Sequence, residues 1–140
     1  MMTNTKRTTK NRIRVNKAYM ETRFGKLILE EDGSGICGVN FCREGEPLDI
    51  EICETALLKE AKKQLEEYFQ GIRRVFDLPL SLSGTPFQQK DWEALLEIPY
   101  GETRSYKDIA ERIGSPKGFR AVGMANHNNP VSIIVPCHRV

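Results

Sequence analysis

Long apolar runs, cysteine and histidine are all scarce in this 140-residue chain. No uninterrupted stretch of ~18 apolar residues is present, which excludes the usual pattern of a transmembrane helix. The basic start lacks the apolar segment of a secretory signal, so we expect a cytoplasmic protein. Four cysteines are too few and too unevenly spaced for a disulfide framework: Cys37, Cys42, Cys53 and Cys137.

Histidine is the scarcest metal ligand here. The chain has only His127 and His138, and both lie in its second half. A zinc site commonly combines cysteines with histidines at short spacings. Since three of the cysteines lie far away in the first half, we expect no metal site.

Charge is distributed unevenly behind a net value of +2. Residues 1–17 carry +6, residues 18–100 carry −7, and residues 101–140 carry +3. Basic segments attract phosphate backbones, although a solvated face is the commoner origin of such a charge. We expect residues 1–17 to form a flexible tail that touches DNA non-specifically.

The first half alternates between strand and helix patterns. Residues 24–32 and 35–42 alternate apolar and polar positions around the turn signal Asp32-Gly33, which predicts a β-hairpin. Residues 55–70 repeat apolar side chains at helical spacing, with Thr55 as the predicted N-cap. Together these patterns predict a small α/β unit.

Two short segments complete this half. Val75–Asp77 predicts a short strand before Pro79. Residues 81–85 (SLSGT) change composition and predict a linker.

The second half predicts short helices. Residues 86–97 form the first, and Ser105 is the predicted N-cap of the next. A turn at Gly114–Pro116 leads to a third helix over residues 117–127, which is a helix-turn-helix pattern. Residues 131–135 (VSIIV) predict a short buried strand.

A candidate nucleophile follows that apolar run. Cys137 is flanked by Pro136, His138 and Arg139, and a cysteine becomes nucleophilic when a base and a cation favour its thiolate. A buried structural cysteine beside a surface histidine explains such a dipeptide equally simply. Adjacent residues on a strand point to opposite faces, so sequence adjacency does not establish contact.

The stretch from Gly84 to Val140 resembles the O6-alkylguanine-DNA alkyltransferases, also called methylated-DNA–protein-cysteine methyltransferases. The matching segments are GTPFQQKDW, ALLEIPYGETRSYKDIA, IGSPKGFRAVGMAN and NPVSIIVPCHRV. The last, an apolar run leading into PCHRV after NP, is the most specific. FGKLILEEDGSGICGVNF and QLEEYFQGIRRVFDLPL extend the resemblance to about residues 18–140.

The resemblance implies a single-use repair protein without a cofactor. Cys137 matches the acceptor of the alkyl group from O6 of guanine, and His138 matches the residue that takes the thiol proton through a water. Tyr106 matches the tyrosine that helps to rotate the nucleotide out and protonates the leaving guanine. Asn129 matches an asparagine that orders the active-site turn.

The implied partner is double-stranded DNA containing O6-alkylguanine, bound through the minor groove by a monomer. Arg120 matches the arginine that fills the gap left by the extruded base, and a planar guanidinium suits stacking there. Small residues would let the helix approach the groove, which is about 6 Å wide. The implied DNA-binding residues are Arg120, Tyr106, Ala121, Gly123, Ala125, Gly118 and Arg139.

The sequence departs from the family pattern in three places. Asp91 stands where an apolar residue is usual, and Gly118-Phe119 replaces two small residues. We expect Gly118 to cost the helix up to ~1 kcal/mol relative to alanine. Phe119 is expected either to act as a wedge near the groove or to pack inward, and we favour inward packing. The family pattern continues past PCHRV with a glycine-rich loop, a helix and a histidine-orienting glutamate, so we expect the chain as written to transfer alkyl groups poorly or, as a truncated inactive form, not at all.

The resemblance implies an α+β protein with an N-terminal ribonuclease-H-like α/β domain, residues 18–83, carrying a small antiparallel sheet. Residues 84–140 are expected to form a helical, winged-helix-like domain with the helix-turn-helix. Three alternatives stay open: a lesion-binding module without chemistry, a transcriptional regulator and a cysteine hydrolase. Cys137 disfavours the first, because such relatives replace this cysteine. Against the regulator, such relatives carry an upstream zinc-binding domain, for which this chain has no room. Against the hydrolase, the chain shows no glycine-rich element that could form an oxyanion hole.

Overall fold

The computed structural model describes residues 15–43 and 52–140 of an α+β protein. Three antiparallel strands open it: β1 (Asn16–Thr22), β2 (Gly25–Glu31) and β3 (Ile36–Phe41), in the order β1-β2-β3. The predicted hairpin is therefore confirmed as β2–β3. Most of the predicted basic tail lies outside the described residues, but Asn16 and Lys17 belong to β1 and not to a flexible tail.

Alternate residues of a strand point to the same face of a sheet, and the apolar residues of these strands fall mainly on one face. Opposed pairs across the strands, such as Met20 with Leu27 and Leu29 with Val39, are buried on that face. Helix α1 (Ala56–Phe69) covers it with Leu58, Ala61 and Leu65.

Helix α1 begins and ends where its sequence predicts. The Thr55 side chain accepts from the backbone N–H of Leu58 at 3.2 Å, as an N-cap does. Gly71, at a φ of +80°, turns the chain immediately after the helix. The last turn of the helix places Tyr68 beside His138 of the second half.

Three further helices form the second half: α2 (Pro86–Leu96), α3 (Tyr106–Arg112) and α4 (Phe119–His127). Thr85 and Ser105 begin the first two with reciprocal capping boxes. A turn containing Gly114, at a φ of +80°, joins α3 to α4, so the predicted helix-turn-helix is present. Within the described residues, no helix is both long enough and apolar enough to cross a membrane.

Two strand predictions are wrong. Residues 75–77 are not a strand, and the next residues meet the sheet only through an isolated bridge between Leu80 and Ile36. Residues 131–135 form a single bridge, Val131 with Val39, and then a turn. Val131, Ile134 and Val135 are buried as predicted. The Ser132 N–H donates to the Val39 carbonyl of the sheet, but the N–H groups of Ile134 and Val135 bond within the turn instead of along a ladder.

A single apolar cluster joins the two halves of the molecule. Leu29 and Val39 from the sheet share it with Trp92 and Leu95 of α2 and with Val135. The segment before Cys137 therefore rests on side chains from both halves.

Candidate active site

The turn that precedes Cys137 is held by one buried asparagine. The Asn129 amide nitrogen donates to the Val135 carbonyl at 2.8 Å, and its oxygen accepts from the Val131 N–H at 3.0 Å. Within the turn, Ile133 has a φ of +75°, a conformation that costs a β-branched residue energy. The Asn129 bridge explains how the chain keeps this conformation without a glycine.

Cys137 begins a one-turn 3-10 helix, Cys137–Arg139. Its N–H donates to Val135 at 2.8 Å, and Pro136 before it is buried. The thiol is free and half-buried, so a small electrophile can reach it while the backbone stays fixed. A thiol in this position can act as a nucleophile once a base takes its proton.

His138 lies on the same turn and contacts the first half of the molecule. Its Nε2 is 3.1 Å from the Tyr68 hydroxyl of α1, while the ring keeps an exposed edge. Loss of solvent on the packed face, and then the neighbouring Arg139 charge, lower the pKa of His138. The imidazole is therefore neutral at pH 7 and able to accept a proton.

Arg139, a predicted DNA contact, bonds to groups of the protein itself. Its Nη1 donates to the Ile98 carbonyl at 2.7 Å and its Nη2 to the Tyr68 hydroxyl at 3.3 Å, with the guanidinium against the Tyr100 ring. Its carbonyl accepts from the Arg104 N–H at 2.9 Å, which ties the segment leading into α3 to the turn. Arg139 therefore braces the site.

Helices α3 and α4 share an exposed face that carries several of the predicted DNA-binding residues. Tyr106, 48% exposed, lies over Gly123, where an added Cβ would be 3.6 Å from its ring. Arg120 and Ala121 are exposed, and Arg120 has no ion pair among the residues that the structure describes. Ala125 does not reach this face, because its side chain is buried.

The two residues before Arg120 differ from expectation. Gly118 is the N-cap of α4 and not an interior residue, so the expected helix cost does not apply. An added Cβ there would lie 2.6 Å from Ser115 Oγ, which explains the glycine. Phe119 is 47% exposed, so the expectation of inward packing is wrong.

The unusual Asp91 is fully buried on α2. The hydrogen-bonding partners of the Asn126 amide fit when its oxygen and nitrogen positions are exchanged. In that orientation its nitrogen donates to both Asp91 carboxylate oxygens and to the Val122 carbonyl. Burial alone raises the pKa of Asp91 to about 7, and the Asn126 bonds, which favour the carboxylate, act in the opposite direction. The Trp92 indole N–H, one residue on, donates to the Ala125 carbonyl at 3.0 Å, so α2 holds α4 through two adjacent polar contacts.

Sequence reasoning missed Tyr68 and Asn126. Tyr68 occurs in the family-like segment QLEEYFQG but lies 70 residues from His138, and only a folded chain brings them together. Asn126 carries a weak signal, since a buried Asp91 needs a donor. In the described parts of the chain, no group of three or more histidine, cysteine or acidic side chains is arranged to hold a metal ion.

The fold and site together define an α+β protein with an accessible cysteine beside a neutral histidine and a basic helix-turn-helix. Comparison with known families agrees with this class. The DNA-binding domain of 6-O-methylguanine DNA methyltransferase matches residues 86–140, and the ribonuclease-like domain of the same family matches residues 15–82.

Similar proteins cover most of the chain. The constitutive methylated-DNA–protein-cysteine methyltransferase of Bacillus subtilis is 52% identical over 126 residues, covering 86% of this chain and 76% of the relative. The Methanosarcina acetivorans methylated-DNA–protein-cysteine methyltransferase is 46% identical, over 88% of this chain and 81% of its own length. The chain therefore belongs to the 6-O-methylguanine DNA methyltransferase family.

Solved structures agree. The Mycobacterium tuberculosis O6-methylguanine methyltransferase superposes with a TM-score of 0.83 at 42% identity, over 91% of this chain and 78% of that one. The Mycobacterium tuberculosis OGT in complex with DNA gives a TM-score of 0.80 at 43% identity, over 89% and 77%.

Proposed function

We propose that this protein repairs DNA by moving the O6-alkyl group of guanine onto Sγ of its own Cys137. In the step, the bond between the alkyl carbon and O6 breaks and a carbon–sulfur bond forms. The thiol proton passes to His138, the electron pair of the broken bond stays with the guanine, and the Tyr106 hydroxyl supplies the proton with which the guanine leaves. Because the thioether is stable, each molecule acts once.

The observation that carries this proposal is the half-buried Cys137 at the start of a braced turn beside a neutral His138, in a chain of this family. His138 follows Cys137 directly in the chain, and a neutral imidazole can take the thiol proton without a metal. Asn129 keeps the turn in place, which supports a fixed line of attack on the alkyl carbon.

The DNA side of the proposal uses the face of α3 and α4. An alkyl carbon inside a stacked duplex is out of reach, so the nucleotide is rotated out at a cost of a few kcal/mol. Arg120 fills the vacated position, Tyr106 guides the base, and Gly118, Ala121 and Gly123 allow close approach. The exposure of Arg120 and Tyr106 supports these roles.

The same proposal covers the organisation of the chain. Residues 18–83 act as the supporting α/β domain and residues 84–140 as the DNA-binding and active-site domain. We place the protein in the cytoplasm as a monomer that binds double-stranded DNA.

The direct test is intact mass after mixing the protein with excess duplex containing O6-methylguanine. We expect a single gain of about 14 Da that disappears in Cys137→Ala. Cys53→Ala, which removes an exposed thiol elsewhere, is the matched control and keeps the gain.

Two results would contradict the proposal. A gain retained in Cys137→Ala assigns the acceptor to another thiol. No gain, both from this chain and from one extended with the glycine-rich loop, helix and glutamate of the family pattern, together with tight binding of the lesion duplex, makes the protein a recognition module without chemistry.

A further inference from the structure

Phe119 is an exposed aromatic side chain at the start of α4. It is the first residue of the helix, directly before Arg120, and nearly half of it is exposed. Among the residues that the structure describes, no other aromatic ring stacks against it and no cation lies over it. Packing within the protein therefore does not explain a large apolar residue at a position where the family pattern has a small one.

A second large apolar side chain shares this side of the helix. Met124 follows Arg120 by four residues, which places it one turn farther along the same face, and it is 61% exposed. Gly123, four residues after Phe119, has no side chain that could cover the Phe119 ring. Two apolar side chains therefore flank Arg120 on the surface.

The charge around this face selects the partner. Helix α4 contains no acidic residue, and Lys117 just before it is exposed like Arg120. Cations in this arrangement bind the phosphates that border a groove of DNA, while an apolar ring between them meets sugars and base edges. A second copy of the chain would bring the same positive charge to the contact, which disfavours self-association through this face.

We infer that Phe119 is a second wedge in the DNA minor groove: Arg120 fills the place of the extruded nucleotide, and the Phe119 ring enters the adjacent base step and unstacks it. Proteins that bind this groove commonly open base steps with an apolar side chain, and phenylalanine is one of those used. The inference deepens the proposed function and rests on its placement of DNA against α3 and α4.

The geometry of the helix allows the two wedges to act together. Consecutive residues of a helix point about 100° apart, so Phe119 and Arg120 can occupy neighbouring positions in the base stack and do not compete for one. A base that has lost its neighbour on one side is easier to rotate out, because less stacking holds it. Phe119 is therefore a DNA-binding residue that opens the duplex and takes no part in the bond changes at Cys137.

The fluorescence of 2-aminopurine tests the unstacking, since this base analogue brightens when it leaves the stack. The duplex carries it beside O6-methylguanine, and the protein carries Cys137→Ala so that no transfer occurs. We expect a rise in fluorescence at saturating protein, and we expect the added Phe119→Ala to remove most of it. Alanine is the better helix former, so α4 persists, which circular dichroism and the urea midpoint verify.

Two further variants separate a wedge from a general loss of apolar surface. Phe41→Ala is the matched control, because Phe41 of β3 is 46% exposed, against 47% for Phe119, and lies in the first half of the chain. It should leave the fluorescence rise unchanged. Phe119→Leu keeps a smaller apolar wedge and should retain part of the rise.

Transfer by the protein that keeps Cys137 gives a second readout. In Phe119→Ala, we expect single-turnover transfer from the duplex to fall on the order of tenfold, the scale of losing one aromatic stacking contact. Transfer from the same lesion in a single strand should stay near wild type, because a single strand has little stacking to open.

The inference is overturned if Phe119→Ala keeps at least half of the fluorescence rise, or if the protein with Phe119 produces none. It is also overturned if Phe119→Ala abolishes self-association in the absence of DNA, which would assign the ring to a second copy of the chain. The fluorescence experiment involves no transfer, so it fails independently of the mass-gain experiment. A Phe119-dependent rise without any mass gain would sink the proposed transfer and keep the wedge.

Discussion

At the scale of single residues, Asp91 is the least expected side chain in the core. It has no exposed surface, and the Asn126 amide is its polar partner across the α2–α4 contact. A buried carboxylate is costly when charged, because the protein replaces water with few donors. Its raised pKa, about 7, lies above the ordinary value of 3.8. The folded state therefore binds more protons than the unfolded state between these two values.

The sign of the pH dependence follows from this difference. Stability associated with Asp91 is greatest at the acidic end, falls as the pH rises from 3.8 to about 7, and changes little above that. In Asp91→Asn, we expect this fall to disappear and the free energy of unfolding at pH 8 to rise by ~1–3 kcal/mol. Urea unfolding followed by Trp92 fluorescence at pH 5 and pH 8 measures both.

A charge-matched control separates burial from net charge. Asp77→Asn removes the same charge from an exposed position and should keep the wild-type pH dependence. If Asp91→Asn and the wild type lose the same stability between pH 5 and pH 8, the carboxylate is not the source of the effect.

At the scale of elements, the short helix α3 depends on its N-cap. Seven residues give few intrahelical bonds, and Ser105 Oγ accepts from the Asp108 N–H at 3.0 Å while Asp108 accepts from the Ser105 N–H at 2.9 Å. These bonds also lower the pKa of Asp108. Tyr106 is the first residue of this helix, so the cap positions a candidate site residue.

We expect Ser105→Ala to lower the free energy of unfolding by ~1 kcal/mol and to slow alkyl transfer beyond what this loss explains. Thr85→Ala removes the corresponding capping box from α2, which carries no candidate catalytic residue, and is the matched control. Transfer rates measured well below the unfolding temperature distinguish the two. Equal rates in the two variants would remove the special role of the α3 cap.

The same elements show what the sequence could predict. Thr55 and Ser105 predicted helix starts correctly because capping is decided within three residues. The strand prediction for residues 131–135 was wrong, because a buried strand and a buried turn have the same apolar pattern. The choice is made by the Asn129 amide and by Val39, 92 residues before Val131. Tyr68 was beyond prediction for the same reason: its partner is distant in the chain.

At the scale of the whole molecule, the active-site turn is built on both halves. Val39 of β3 pairs with Val131, and the Ser132 N–H donates to the Val39 carbonyl at 3.0 Å. Tyr68 reaches the same turn from α1. The two segments matched by separate family domains therefore share one apolar cluster, and we expect them to unfold together.

This cooperativity is testable because the single tryptophan, Trp92, lies in the second half. Leu29→Ala removes a fully buried side chain from the first-half sheet and leaves a cavity, at a cost of ~2–5 kcal/mol. If the core is one unit, the substitution lowers the midpoint urea concentration of the Trp92 fluorescence transition by as much as it lowers the midpoint measured by circular dichroism. An unmoved Trp92 transition would mean that the halves unfold separately. In that case, the turn carrying Cys137 keeps its shape without the sheet, and bracing by Asn129 and Arg139 alone is sufficient.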